Sequence, residues 1–269
     1  MNGDRPKNEE TLTSASNSRQ PQSAAELPGI WNTDDVPSHE KQAWDDYWER
    51  LDDKQPIFSL EAKDYVDRFT HTFADVSDAR VLDFGCGFGL LSEAISPHVA
   101  EIAVWDTAAN MRSIAYARLS AVKNVGFVDL SSRGLDMAAG EFDFILVNSV
   151  IQYMTFEELC AWLHRWKTLL GPSGRLVISD IMTHNYSFFR DLSAFLSICL
   201  RNGVLIRSIM AGIKEIGNYS EVKASRPLLR LDAAQISEAA GGADLAVEIL
   251  PKNLTYHYGR LSAVFRKKE

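Results

Sequence analysis

From about residue 80 onward, short apolar runs alternate with stretches whose apolar residues recur at helical spacing. The runs at 80–84, 102–106, 125–129, 142–147 and 175–179 are rich in Val, Ile, Leu and Phe and lack strict polar alternation. That composition belongs to strands buried on both faces of a mainly parallel sheet. Between the runs, Met111, Ile114, Ala115 and Leu119 share one helical face, as do Phe156, Leu159, Leu163, Trp166 and Leu170. Thr155 and Glu158 form a capping-box pair ahead of the second stripe, and Gly171-Pro172 ends it. Repeated strand-helix-strand order predicts right-handed crossovers and a doubly wound α/β fold.

The flanks depart from this rhythm. Trp44, Tyr47, Trp48 and Leu51, then Ala62, Val66, Phe69 and Phe73, predict two helices leading into the sheet. After the fifth strand, the stripes Phe188, Leu192, Phe195, Cys199 and Ile206, Ile209, Met210, Ile213 predict a helical insertion over about 185–230. A helix near 232–240 and strands at 245–250 and 261–265 complete the chain. The expected organisation is a disordered polar tail over 1–27, an N-terminal helical cap over 28–75, and the main domain over 76–269 with its insertion.

Composition narrows the partners. With 28 basic and 36 acidic residues, a net charge of -8 repels polyanions and argues against nucleic acid. Cys86, Cys160 and Cys199 are too few and too scattered for a disulfide framework or a zinc site, so no metal is expected and a reducing cytoplasm fits. The polar start carries no apolar leader stretch. The most apolar region, 192–213, is interrupted by Arg201-Asn202-Gly203 and Arg207, short of the roughly 20 residues an integral membrane segment needs.

The densest chemistry lies in Val81-Leu82-Asp83-Phe84-Gly85-Cys86-Gly87-Phe88-Gly89, a buried strand running into a glycine-rich turn and a helix. Glycines there let the backbone turn sharply and approach a ligand. A dinucleotide fingerprint would need glycine at position 90, where Leu90 stands, and a phosphate loop would need a Gly-Lys-Ser/Thr ending, which is lacking.

An acidic residue followed by Gly-x-Gly-x-Gly after the first strand resembles the class I S-adenosylmethionine-dependent methyltransferases. The resemblance covers about residues 78–182 well and the end of the chain more weakly. It implies a Rossmann-like methyltransferase fold, a seven-stranded mainly parallel sheet with the last strand inserted antiparallel between the fifth and sixth. It also implies S-adenosylmethionine as methyl donor and S-adenosylhomocysteine as product. Cofactor contacts would come from Asp83, Gly85, Cys86, Gly87 and Gly89. Asp106 and Thr107, closing the second strand, would meet the ribose hydroxyls. Met111, beside Asn110, would lie at the adenine, although it equally suits a core position. Asp129 and Leu130 would meet the adenine amino group and ring, and Asn148 the methionine end. Asp83 would reach the cofactor's ammonium, while also suiting bonds to the loop amides. Cys86 reads as a loop filler, since no histidine or lysine is placed to activate it.

Methyl transfer is an in-line displacement at an activated carbon, so alignment dominates and a base is optional. Asn148-Ser149-Val150-Ile151 carries neither the Asn/Asp-Pro-Pro-Tyr/Phe loop of amino-group methylation nor a Pro-Cys nucleophile, which favours a small-molecule acceptor. Its pocket is expected from Trp44, Tyr47, Trp48, Gln152, Tyr153 and the insertion, with Tyr153, His184 and His257 as candidate catalytic bases. The apolar insertion would be a lid, plain core, or a homodimer face. Two other readings stay open: a different reaction on the same cofactor, such as aminopropyl transfer, and a non-catalytic partner subunit that keeps the glycine loop.

Overall fold

The computed structural model describes residues 56–74, 76–128, 130, 140–185, 187–205 and 228–268. Helix α1 (Pro56–Thr72) leads into β1 (Arg80–Phe84), α2 (Leu90–Ile95), β2 (Glu101–Trp105), α3 (Ala109–Leu119) and β3 (Val125–Phe127). Then come β4 (Phe142–Asn148), a 3₁₀ turn (Ile151–Tyr153), α4 (Phe156–Leu169), β5 (Leu170–Ile181), α5 (Phe188–Arg201), α6 (Ala233–Gly242), β6 (Leu245–Ile249) and β7 (Leu261–Lys267).

The seven strands form one sheet in the order β3-β2-β1-β4-β5-β7-β6. All neighbours pair parallel except β7, which runs antiparallel to both β5 and β6. This is the doubly wound α/β sheet expected, including the inserted last strand. Strand order reverses between β1 and β4, so the loops following these two strands diverge and leave a crevice at their carboxyl ends.

The sheet is covered on both faces, which explains the near-continuous apolar runs. Leu82, Phe84, Ile145, Val147, Leu176 and Phe265 pack with Leu163 and Trp166 of α4 and Ile236 of α6. On the other face Val81, Val104, Leu146 and Val177 pack with Val66 and Phe69 of α1, Ile95 of α2 and Leu119 of α3. Successive residues of β1 therefore serve opposite cores, with Asp83 the one buried polar residue of the strand. The capping box on α4 forms as the sequence implies: Glu158 N donates to Thr155 Oγ1 at 3.1 Å, and Thr155 N to Glu158 Oε2 at 2.6 Å.

Several boundaries move. β3 ends at Phe127 rather than at 129. β5 begins at Leu170, before the Gly171-Pro172 pair, because Leu170 pairs with Phe142 ahead of a register shift. The last strand runs on to Lys267. The helix expected around Trp44, Tyr47 and Trp48, the second insertion helix around Ile206–Ile213 and Asp129 lie outside the described residues.

Candidate active site

The glycine turn is fixed by the neighbouring strand. Gly85 N and Cys86 N both donate to Trp105 O, at 2.7 and 3.0 Å, which binds the turn to the end of β2. Gly85, Gly87 and Gly89 all have positive φ, at 77°, 52° and 76°, a region that L residues enter with strain. Their surroundings separate the three. A Cβ on Gly85 would come within 2.5 Å of Val150 Cγ2, and one on Gly89 within 2.8 Å of Leu119 Cδ1, so both glycines permit close packing. A Cβ on Gly87 would meet nothing within 4 Å. Of the three glycines of the turn, only Gly87 faces open space.

Asp106, at the end of β2, holds this arrangement. Its Oδ2 accepts from Gly87 N at 2.8 Å and its Oδ1 from Ala108 N at 2.9 Å. Since each carboxylate oxygen accepts more than one donor, these bonds orient the group and are compatible with ribose hydroxyls. Arg112 is buried and donates to the carbonyls of Asp106 and Thr107 at 3.0 and 2.7 Å, fixing the turn from below. Arg118 Nε donates to Phe88 O at 2.9 Å and anchors the other end of the glycine turn. Thr107 itself is exposed, whereas Met111 is buried against Phe88 and Ala108.

Asp83 is buried to 2 % exposure, and its Oδ2 accepts from Ser92 Oγ at 2.5 Å. Burial pushes its carboxyl from an ordinary 3.8 up to about 6; the Ser92 bond opposes the rise and the charge of Asp106 adds to it. A buried carboxylate in this state gains from a cation arriving beside it. Cys86 is buried and its thiol is pushed well above the ordinary range, chiefly by burial and then by Asp106 and Asp83, which suits a filler and not a nucleophile.

Near the crevice, three buried polar atoms find no partner among the described residues: Asn110 Nδ2 at the start of α3, Asn148 Oδ1 at the end of β4, and Gln152 Oε1 in the following turn. Such orphans are uncommon in folded proteins, and these lie at the end of β4 and in the elements that follow β2 and β4. A ligand with both donors and acceptors would satisfy them. Leu130 is buried in the core on the α4 side of the sheet.

The candidate bases disperse. His184 is exposed, with Nε2 2.8 Å from Gln235 Oε1, the oxygen that also accepts from Asp232 N in the capping box of α6. Tyr153 is half-buried in the turn after β4. His257 joins a polar network at the ends of β4, β5 and β7. There Asp180 accepts from Arg260, from Thr255 Oγ1 at 2.8 Å and from Ser149 Oγ at 2.9 Å. Arg260 Nη2 also donates to Asp191 Oδ2 of α5 at 2.6 Å. Asp191 Oδ1 lies 3.2 Å from His257 Nδ1, close enough for an ion pair but without hydrogen-bond alignment.

Ser149 and Asp180 both take positive φ, 57° and 66°, a strained backbone that this network holds in place. Burial works against the Asp180 charge, but Arg260, then His257, with bonds from Thr255 and Ser149, hold its carboxyl below the usual range. None of Ser92, Arg112, Asp180 or Arg260 stands out in the sequence. Each is an ordinary polar residue whose partners are supplied by the folded chain.

The comparisons with known proteins agree with this geometry. The sequence pattern of the family described as methyltransferase domain matches residues 57–205. A ubiquinone biosynthesis O-methyltransferase of Xylella fastidiosa is 25% identical over 201 residues, covering 72% of this chain and 76% of that protein. Among solved structures, an S-adenosylmethionine-dependent methyltransferase of Leishmania major superposes with a TM-score of 0.53 at 14% identity, over 90% of this chain and 87% of that one. The magnesium protoporphyrin IX methyltransferase of Synechocystis PCC 6803, with bound S-adenosylhomocysteine, superposes with a TM-score of 0.52 at 16% identity, over 86% and 95%. With more than half of its residues matched, an open glycine turn at the switch point and the expected strand order, the chain belongs to the methyltransferase-domain family, the class I enzymes that use S-adenosylmethionine.

Proposed function

We propose that this enzyme moves the methyl group of S-adenosylmethionine onto an oxygen of a small, largely apolar acceptor. The observation that carries the cofactor side is the open space at Gly87, whose N–H donates to the Asp106 carboxylate, at the point where strand order reverses. In this reading Asp106 accepts the ribose hydroxyls, Asn110 and Met111 border the adenine, and Asn148 meets the methionine end. The buried Asp83 carboxylate faces the ammonium, whose charge offsets the desolvation it bears alone.

The acceptor side is supported by a small apolar cluster beside the same crevice. Ile57 of α1, Ala194 and Ile198 of α5, and Tyr256 pack together there, with Phe58 and Phe195 at its margin. An apolar wall next to the polar network at the strand ends suits a molecule with an apolar body and one reacting polar group. Oxygen as the accepting atom is supported by the O-methyltransferases among the relatives. Among the described residues no helix is long and apolar enough to cross a membrane.

The test is calorimetric titration of the protein with S-adenosylmethionine, S-adenosylhomocysteine and NAD, followed by transfer of labelled methyl to paired acceptors bearing a hydroxyl or an amine on the same apolar body. Binding of the sulfonium pair without NAD, and label on the hydroxyl partner, is expected. Label on the amine partner alone overturns the oxygen assignment, and binding of NAD alone overturns the cofactor reading.

A further inference from the structure

Glu61 sits one helical turn from two residues that reach opposite sides of the crevice. At 100° per residue, Ile57, Phe58, Glu61 and Tyr65 fall within about 100° of the surface of α1. Phe58 packs on Phe88 of the glycine turn, with ring centroids 5.7 Å apart. The Tyr65 hydroxyl lies 3.2 Å from Ser179 Oγ near the end of β5. Ile57 packs with Tyr256 and with Ala194 and Ile198 of α5. Glu61 shares this face of α1 with the three anchors, and its carboxylate meets the Tyr256 hydroxyl, with His257 and Arg260 of the β6–β7 connection and Asp180 of β5 close by. We infer that Glu61 is the general base of the reaction, taking the proton from a phenolic hydroxyl of the acceptor. The inference rests on the oxygen-acceptor reading above.

The charged and titratable groups around it favour this role. By surface area Glu61 is half-buried, and the surrounding protein pushes its carboxyl from 4.5 up to about 7. Burial is the main cause of the rise, and Asp180 on β5 adds to it. His257, the Tyr256 hydroxyl and Arg260 on the β6–β7 connection oppose it. Asp191 of α5 stands behind them, paired with Arg260 and His257. The Tyr256 hydroxyl is pushed above the usual tyrosine range by burial and by Glu61, so it stays protonated and donates to the carboxylate. One donor leaves further acceptor positions on a carboxylate for an incoming hydroxyl.

The chemistry balances. The acceptor O–H bond breaks and its proton goes to the Glu61 carboxylate, while the oxygen lone pair forms a bond to the methyl carbon. The carbon–sulfur bond breaks, its electron pair passes to sulfur, and the products are the methyl ether and S-adenosylhomocysteine. Glu61 then releases the proton to solvent. A base near 7 is matched to a phenol near 10 and poorly to an aliphatic alcohol, whose proton is held far more tightly.

The test compares wild type with Glu61→Gln, using 4-octylphenol as acceptor and 4-octylaniline and octanol as controls. Wild type is expected to methylate the phenol, with kcat rising through about pH 7. Glu61→Gln is expected to lower kcat by about 10²- to 10⁴-fold and to flatten that rise, with the Kd for S-adenosylmethionine within about twofold. Glu61→Asp is expected to recover part of the rate. Tyr256→Phe provides an independent readout: loss of a bond that favours the charged carboxylate moves the rise to higher pH. A Glu61→Gln variant that keeps its kcat and its pH profile overturns the inference and leaves the oxygen reading intact. Methylation by wild type of the aniline alone, or of none of the three, overturns both.

Discussion

Replacing Asp83 with asparagine changes how stability depends on pH in a way that tests the buried carboxylate directly. In the folded enzyme Asp83 titrates near 6, against about 3.8 for an exposed aspartate. Because the folded value is raised, the folded state holds the proton over a range where the unfolded chain has lost it. Stability therefore falls as pH rises from about 3.8 to about 6 and levels off above. The full gap corresponds to about 3 kcal/mol, and the part falling between pH 4.5 and 7.5 to about 2 kcal/mol. The asparagine variant carries no titrating proton at this position, so any fixed difference in its bond to Ser92 cancels when the two proteins are compared across pH. Thermal melts of both proteins without cofactor, at steps from about pH 4.5 to 7.5, are expected to show wild type losing about 4–8 °C relative to Asp83→Asn over this range. Saturating S-adenosylmethionine is expected to shrink that relative loss, because its ammonium favours the charged carboxylate. Parallel curves without cofactor would refute the claim that Asp83 is a desolvated charge. An unchanged relative loss with cofactor would refute its role at the ammonium.

Asp106→Ala removes the acceptor of Gly87 N and Ala108 N as well as the proposed ribose contact. Calorimetry is expected to show S-adenosylmethionine binding weakened by about 1–3 kcal/mol, and unchanged affinity would remove Asp106 from the site. Gly87→Asn places a side chain in the one open direction of the turn, with a residue type that tolerates positive φ. The variant is expected to melt near wild type yet gain no stabilisation from S-adenosylhomocysteine, whereas wild type gains about 2.7 kcal/mol at a hundredfold excess over Kd. A normal ligand shift would show that the ligand lies elsewhere. Gly89→Ala should behave oppositely, lowering the melting temperature without ligand, because its Cβ meets Leu119 in the core. Arg260→Met strands the buried Asp180 and Asp191 and is expected to destabilise the fold by about 3–5 kcal/mol in denaturant titrations. A loss below about 1 kcal/mol would show that the network is dispensable.

Local pattern was sufficient for the parts of this protein that depend on neighbours in the chain. The apolar runs identified β1, β2, β4 and β5 because these central strands are buried on both faces, the Thr155–Glu158 pair marked the start of α4, and the spacing of Gly85, Gly87 and Gly89 distinguished this turn from dinucleotide and phosphate loops. Asp83 and Asp106 were legible as candidate site residues because one lies next to the last residue of β1 and the other directly follows β2, positions defined by sequence. Tertiary structure decided what the three glycines do, since identical residues with similar φ face a valine, a leucine or open space. It also decided which polar residues meet. Glu61, Tyr256, Asp180 and Arg260 span about 200 positions of the chain, and nothing in a helix stripe or a loop composition relates them. His184 and His257 look alike in sequence as histidines near strand ends, yet one is bound to a helix cap and the other joins the buried network. Periodicity records which face of an element is buried. Long-range packing alone determines which side chains from distant elements share a buried space, and with it their charge and chemistry.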